Sequence, residues 1–254
     1  MSFEVRLEER KAWFVTFNRG CQLAFEVNVE TEQLRRSSVV WLVRHAETAA
    51  PTMFHGAESD VELGEHGKQQ AAAAAAWFAE LRPTAVVSSA MIRARDTAAP
   101  IAAGCRVPHF IEPRLHERKV GPLSRKPRAE ADHIWEETIR RWLRGETDYA
   151  HPGMETYDEI RDRVVPAFQE VVAAHPGGRV AIVCHGVVKK VLLLSLLRDK
   201  SPAEWVSIGK IPNLAVSELI PDRDKWIASR LLFVPPPVRE LNATAEPDPL
   251  KTEA

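Results

Sequence analysis

The chain has 254 residues, 45% of them hydrophobic and 27% charged, with a formal net charge of −1. Length and composition fit an ordinary globular protein with a substantial core. The charge balance lacks the clustered excess of Lys and Arg that a nucleic-acid or anionic membrane surface requires, and no apolar run approaches the ~20 residues of a bilayer span.

The first residues, MSFEVRLEERK, are charged and carry no apolar signal core. Cys21, Cys105 and Cys184 are odd in number and far apart, which argues against a disulfide framework. Together these features predict a cytoplasmic protein with reduced thiols. Residues 12–30 read as a β-hairpin: Phe25, Val27 and Val29 alternate with polar residues, and Asn18-Arg19-Gly20 supplies a turn. Val39–Val43 is an unbroken apolar run, as expected of a parallel strand covered on both faces. Residues 65–81 are Ala-rich and read as a helix, which Gly64 caps weakly. A strand is predicted over 84–89 and a helix over 91–103. A further helix spans residues 129–145, with Trp135, Ile139 and Trp142 on one face and Gly145 as its stop.

Thr156 and Glu159 form a capping box ahead of a helix whose Ile160, Val164, Phe168 and Val171 share a face, and Pro166 is expected to kink it. Arg179–Cys184 is a buried strand that leads through His185 into a helix over 187–197. Strands are expected at 214–219 and 226–234, and the proline-rich tail from Pro235 is expected to be disordered. The alternation predicts an α/β fold: a single three-layer domain with a mostly parallel sheet flanked by helices, plus an N-terminal β-hairpin appendage. The boundaries are 1–37 for the hairpin extension, 38–234 for the main domain and 235–254 for the tail. Ligands of such sheets bind at the carboxyl ends of strands. Arg44 and His45 end one buried strand and His185 ends another, so all three belong at one rim.

Several ordered blocks surround these residues. Val43-Arg44-His45-Ala46-Glu47-Thr48 is followed by Gly56, Asp60, Leu63, Gly67, Gln70 and Ala71 at fixed spacing, then by Ser88, Ser89, Arg93, Ala94, Thr97 and Ala98. Leu115–Gly121 carries Glu117, a Gly-x-Glu-Thr block follows at 153–156, and Val180–Val188 carries His185. In type, order and spacing they resemble the histidine phosphatase superfamily, also called the phosphoglycerate-mutase-like family, over residues 39–233. Family members usually have Arg-His-Gly where this chain has Ala46, and an asparagine at the position of Pro51.

The resemblance implies a phosphomonoesterase that acts on a small phosphorylated metabolite. His45 is implied as nucleophile, Glu117 as the proton donor to the departing alkoxide, and His185 as the second family histidine. Arg44, Arg93 and the amide near Gly186 are implied as phosphate ligands. Phosphoryl transfer demands such a set, because its transition state spreads charge over the equatorial oxygens. Arginine forks and helix N-termini meet that charge, and flanking arginines keep an imidazole neutral and able to attack. Glu117 is expected to take up its proton only with substrate bound. No cofactor and no metal are expected; His45 and His185 lack clustered carboxylates.

Cys184 precedes His185, the reverse of the His-Cys order of thiol phosphatases, and reads as a buried strand residue. Ser88 and Ser89 are expected only to help the strand turn. His66 is expected to be exposed. The alternatives are phosphoglycerate-mutase-type transfer or a non-catalytic phosphate-binding module. Mutases carry a longer insertion with paired arginines after the acid, whereas residues 118–152 mix Arg125, Lys126, Arg128, Arg140, Arg141 and Arg144 with six acidic residues. Selectivity is expected to lie in residues 49–59 and 118–152. The hairpin offers a strand edge through which a homo-oligomer can form.

Overall fold

The computed structural model describes residues 13–17, 21–25 and 38–244. Strands β1 (Trp13–Phe17) and β2 (Cys21–Phe25) pair antiparallel in a sheet of their own. The expected hairpin is therefore present, although its Asn18-Arg19-Gly20 turn and residues 26–30 lie outside the described residues.

The main sheet contains β3 (Val39–Arg44), β4 (Ala85–Ser88), β5 (His109–Ile111), β6 (Arg179–Cys184), β7 (Val216–Asp222) and β8 (Lys225–Phe233). Its spatial order is β5-β4-β6-β3-β7-β8; the first four run parallel, and β7 pairs antiparallel with both β3 and β8. The unbroken apolar sequence of β3 follows from its central place. Val40 and Leu42 enter one core, while Trp41 and Val43 enter the other.

Helices α1 (Glu65–Leu81) and α2 (Ile92–Cys105) pack side by side on the second face. Ala71 and Ala74 of α1 share that core with Ala94 and Ala98 of α2. The alanine run thus supplies close helix approach as well as helix propensity. The opposite face is covered by α3 (Arg128–Leu143), α4 (Tyr157–Ala173) and α5 (Gly186–Leu196). Helix α4 starts with the expected capping box of Thr156 and Glu159.

The fold departs from the sequence expectations in two places, the tail and β5. The tail is helical over α6 (Pro236–Thr244), not disordered there; Val238 is fully buried in the α1–α2 core, and Asn242 Oδ1 accepts a hydrogen bond from Gln70 Nε2 at 2.9 Å. Pro236 suits the first helical turn, where a missing N–H costs nothing, and a single buried valine leaves little periodic signal. Residues 245–254 lie outside the described residues. Helix α4 extends to Ala173 with Pro166 in its interior, as a kinked or a straight helix would, and buried Val164, Ala167 and Phe168 flank that position. Strand β5, three residues long, escaped prediction because so short a segment shows no period.

Candidate active site

Parallel pairing of β3 with β6 sets Arg44 opposite Cys184. The next residue of each chain segment, His45 and His185, therefore leaves the sheet at the same rim. His45 N donates to Cys184 O at 2.9 Å, and the two imidazole centroids lie 5.2 Å apart.

His45 is 6% exposed. Its Nδ1 lies 2.7 Å from the carbonyl oxygen of Ala46. That oxygen can only accept, so Nδ1 carries the hydrogen and Nε2 keeps its lone pair. Burial, followed by the cations of Arg93 and Arg44, holds the His45 pKa well below the usual histidine value. The ring is neutral, with a free nitrogen, at physiological pH. Asn213 Nδ2 donates to the His45 carbonyl at 2.9 Å and pins the backbone.

Arg44 donates through Nη1 to Ile211 O, and its buried Nε has no partner among the described residues. Burial lowers its pKa to about 10, which leaves it cationic at neutral pH. Arg93 rises from the first turn of α2, 1% exposed, and donates to Ser59 O at 2.9 Å and Gly56 O at 3.3 Å. His185 is fully buried and its Nε2 lies 2.9 Å from Ser89 Oγ, while Nδ1 has no partner among the described residues. Ser89 thus does more than help the strand turn, because its hydroxyl orients His185. Burial, Arg93 and His45 together push the His185 pKa well down.

Glu117 is 8% exposed. Its carboxylate accepts from Arg118 N at 2.9 Å and from Val187 N and Val188 N at 3.4 Å each. It therefore stands at the N-terminus of α5, where peptide N–H groups favour an anion. Gly186 lies against the Arg44 guanidinium; a Cβ there would sit 3.6 Å from Arg44 Nε. All six residues singled out in the sequence converge on this rim.

The remaining motif residues build its frame. Thr97 Oγ1 accepts from Ala46 N at 2.9 Å, and Gln70 Oε1 accepts from Glu47 N at 2.9 Å. Gly67 allows α1 to touch the Glu47 backbone; a Cβ would fall 1.9 Å from Glu47 O. The loops expected to carry selectivity are joined. Phe54 N donates to Lys126 O at 2.7 Å, Arg125 N to Phe54 O at 2.8 Å, and Arg128 N to Thr52 O at 3.1 Å. His66 is half-buried rather than exposed, with Nε2 3.1 Å from Asn242 Oδ1. Cys184 is fully buried and its thiol is pushed up to about 12 by that burial, which makes it a core residue and no thiolate. Among the described residues no group of three or more His, Cys, Asp or Glu is placed to hold a metal ion.

Sequence reasoning missed Asn213, the Arg163–Glu155 pair behind Glu117, and Lys189. Glu155 stands inside the Gly-x-Glu-Thr block, and Lys189 is a charge on an apolar helix; Asn213 carries no signal at all.

The model of the histidine phosphatase superfamily (branch 1) matches residues 40–232. The chain is 36% identical over 208 residues to a metal-independent phosphoserine phosphatase of Arabidopsis thaliana, covering 80% of this chain and 82% of the relative. It is 30% identical over 192 residues to a probable phosphoglycerate mutase of Cronobacter sakazakii, covering 75% and 88%. Among solved structures, a mycobacterial glucosyl-3-phosphoglycerate phosphatase in complex with inorganic phosphate superposes with a TM-score of 0.67 at 25% identity, covering 77% of this chain and 97% of that one.

Proposed function

The chain belongs to the histidine phosphatase superfamily, and on that premise we propose that it hydrolyses the phosphomonoester of a small metabolite through a phosphohistidine on His45. The neutral Nε2 lone pair of His45 attacks phosphorus, and the ester P–O bond breaks. Glu117 delivers its proton to the departing alkoxide. Water then attacks the phosphohistidine, the P–N bond breaks, and Glu117 takes back a proton. Arg44, Arg93, His185 and the amide at Gly186 hold the phosphoryl oxygens throughout.

One observation carries this reading. Around the His45 ring, two buried nitrogens, Arg44 Nε and His185 Nδ1, have no partner among the described residues. Buried polar groups are rarely left so; an oxyanion between them satisfies the Arg44 N–H, and the His185 Nδ1 in the tautomer that carries its hydrogen there. The arrangement also argues against a passive binding module, since the tautomer of His45 is set for attack.

Hydrolysis is favoured over mutase chemistry by the fate of the arginines on α3. Arg141 pairs with Glu137 at 2.9 Å and Glu146 at 3.0 Å, Arg144 with Glu146 at 3.0 Å, and Arg140 with Glu137. They neutralise acidic neighbours on and just beyond α3 instead of gripping a second phosphate. The reading also keeps the cytoplasmic setting expected from the sequence.

The test is phosphate release from an aryl phosphate, O-phosphoserine, 3-phosphoglycerate and a wider metabolite panel, in EDTA, by wild type and His45→Ala. Release that vanishes in the variant is expected. Release that survives in His45→Ala overturns the nucleophile, and wild type that is folded but silent on every ester overturns hydrolysis.

A further inference from the structure

Helix α5 is apolar where it meets the sheet, with Val188, Val191, Leu192, Leu193 and Leu194 all buried. Lys189 stands among them and is fully buried too. Its neighbour Lys190 behaves as lysines usually do: half-buried, it reaches the helix edge and rests its Nζ over the Trp205 ring at 4.7 Å. Lys189 points the other way. Its Nζ donates to Leu42 O of β3 at 2.9 Å and to Ala215 O, just before β7, at 2.6 Å.

Those two carbonyls lie directly behind the phosphate site. Ala215 O also accepts from Arg44 N at 3.2 Å, and Leu214 N donates to Arg44 O at 3.1 Å. Ile211 O accepts from the Arg44 guanidinium, and Asn213 holds the His45 carbonyl at 2.9 Å. Residues 211–215 thus wrap the Arg44–His45 corner on its open side, and the Lys189 amine ties that wrap to β3.

We infer that Lys189 is a positioning residue for the phosphate site, fastening residues 211–215 to β3 behind Arg44 and coupling its own charge to the binding of a dianion there. The inference rests on the phosphate-binding role proposed for Arg44. An amine keeps two N–H donors when it loses its proton, and it faces two carbonyls. The fastening therefore survives deprotonation, and only the charge behind the site changes.

The titratable groups around the amine are few. Arg44 faces it from β3 and Cys184 from β6, while residues 211–215 bring no titratable side chain. Burial lowers the amine to about 7, with Cys184 opposing and Arg44 adding to the shift. A dianion seated on Arg44 offsets that repulsion and favours the ammonium form. By linkage, protonated Lys189 then favours the dianion.

Sulfate is the probe, because it stays dianionic between pH 6 and 9 and adds no titration of its own. Its binding is followed by calorimetry in wild type and in Lys189→Met. Wild-type affinity is expected to fall with rising pH by about tenfold more than that of the variant. KM for an aryl phosphate is expected to rise in the variant more than kcat falls. Identical pH slopes in the two proteins overturn the inference. Should Lys189→Met fail to fold, Lys190→Arg protein with 13C-labelled lysines replaces it, leaving one lysine resonance with a midpoint near neutrality. Saturating sulfate is expected to move that midpoint up, and an unmoved midpoint overturns the coupling. Wild type that binds no sulfate at any pH overturns the phosphate site itself, a distinct failure.

Discussion

Arg163 grips Glu155 with two parallel bonds, Nε to Oε1 at 2.8 Å and Nη2 to Oε2 at 2.9 Å. The pair holds the loop that presents Glu117. Arg163 Nη1 donates to Arg114 O at 2.6 Å and His116 O at 2.9 Å, and Glu155 Oε2 accepts from Lys119 N at 2.8 Å. Burial works to raise the Glu155 pKa, but the Arg163 hydrogen bonds and charge, together with the Lys119 amide, outweigh it and hold the carboxyl below its usual value. Neither side chain is placed against the reacting atoms, so both are positioning residues. Glu155→Gln is expected to lower kcat about tenfold, the loss of one charge-assisted bond, and to leave KM nearly unchanged. The loss is expected to be larger for alkyl than for aryl phosphates, because only a poor leaving group needs a well-placed acid. Equal losses on both classes would assign the pair a purely structural role.

The proposed division of labour between His45 and Glu117 is separable by leaving group. Glu117→Gln is expected to cost ~10²–10⁴-fold in kcat on alkyl phosphates, the usual range for general acid catalysis. The cost on an aryl phosphate is expected to be smaller for the first step. A phosphorylated His45 then accumulates, because hydrolysis of the intermediate loses its base. Intact-mass spectrometry of quenched reactions reads this directly. No added phosphate on Glu117→Gln and an equal cost for both esters would remove Glu117 from the proton path.

The two buried histidines make stability depend on pH. Burial depresses the pKa of His45 and His185 in the fold, whereas in the unfolded chain each titrates near ~6.5. Below that value the unfolded state binds more protons, so unfolding free energy rises with pH there. Their contribution is complete above pH ~6.5 and is lost as pH falls, by at most about 1.4 kcal/mol per pH unit for each group. Urea melts of wild type and His185→Asn between pH 5 and 7.5 test this. The variant is expected to show a shallower fall, and parallel curves would contradict it.

Gly67→Ala separates helix propensity from packing. At an exposed site inside a helix, alanine would add ~1 kcal/mol of stability. Here the new methyl would lie 1.9 Å from Glu47 O, closer than any carbon tolerates. The clash is with backbone, so α1 or the Ala46–Glu47 segment must shift. Lower thermal stability and reduced kcat/KM are expected together, because Ala46 O sets the His45 tautomer. A stabilised, fully active Gly67→Ala would show that the segment yields freely.

Much of this is legible in the chain itself. The run Val39–Val43 and the strand Arg179–Cys184 announce two strands buried on both faces, and the residues just past them announce one rim. Through their resemblance to the histidine phosphatase superfamily, the spaced blocks single out Arg44, His45, Arg93, Glu117, Gly186 and His185 as candidates. Such features depend on local spacing and on the alternation of side chains along a strand, which the chain carries in full.

What spacing cannot express is partnership across distance. The place of Lys189 behind Arg44 depends on β7 returning beside β3, and Asn213 reaches His45 O only because residues 211–215 wrap that corner. Val238 needs the surface of α1 before its short helix has anything to bury. By itself the sequence determined the α/β alternation and, through family resemblance, the candidate site residues, because both rest on short-range pattern and spacing. Only the tertiary structure decided the His45 tautomer, the two unpartnered nitrogens of Arg44 and His185, the clamp on the Glu117 loop and the lysine behind the site. Those arise where segments far apart in the chain meet in a dry interior, and there each buried polar atom must find a partner or await a ligand.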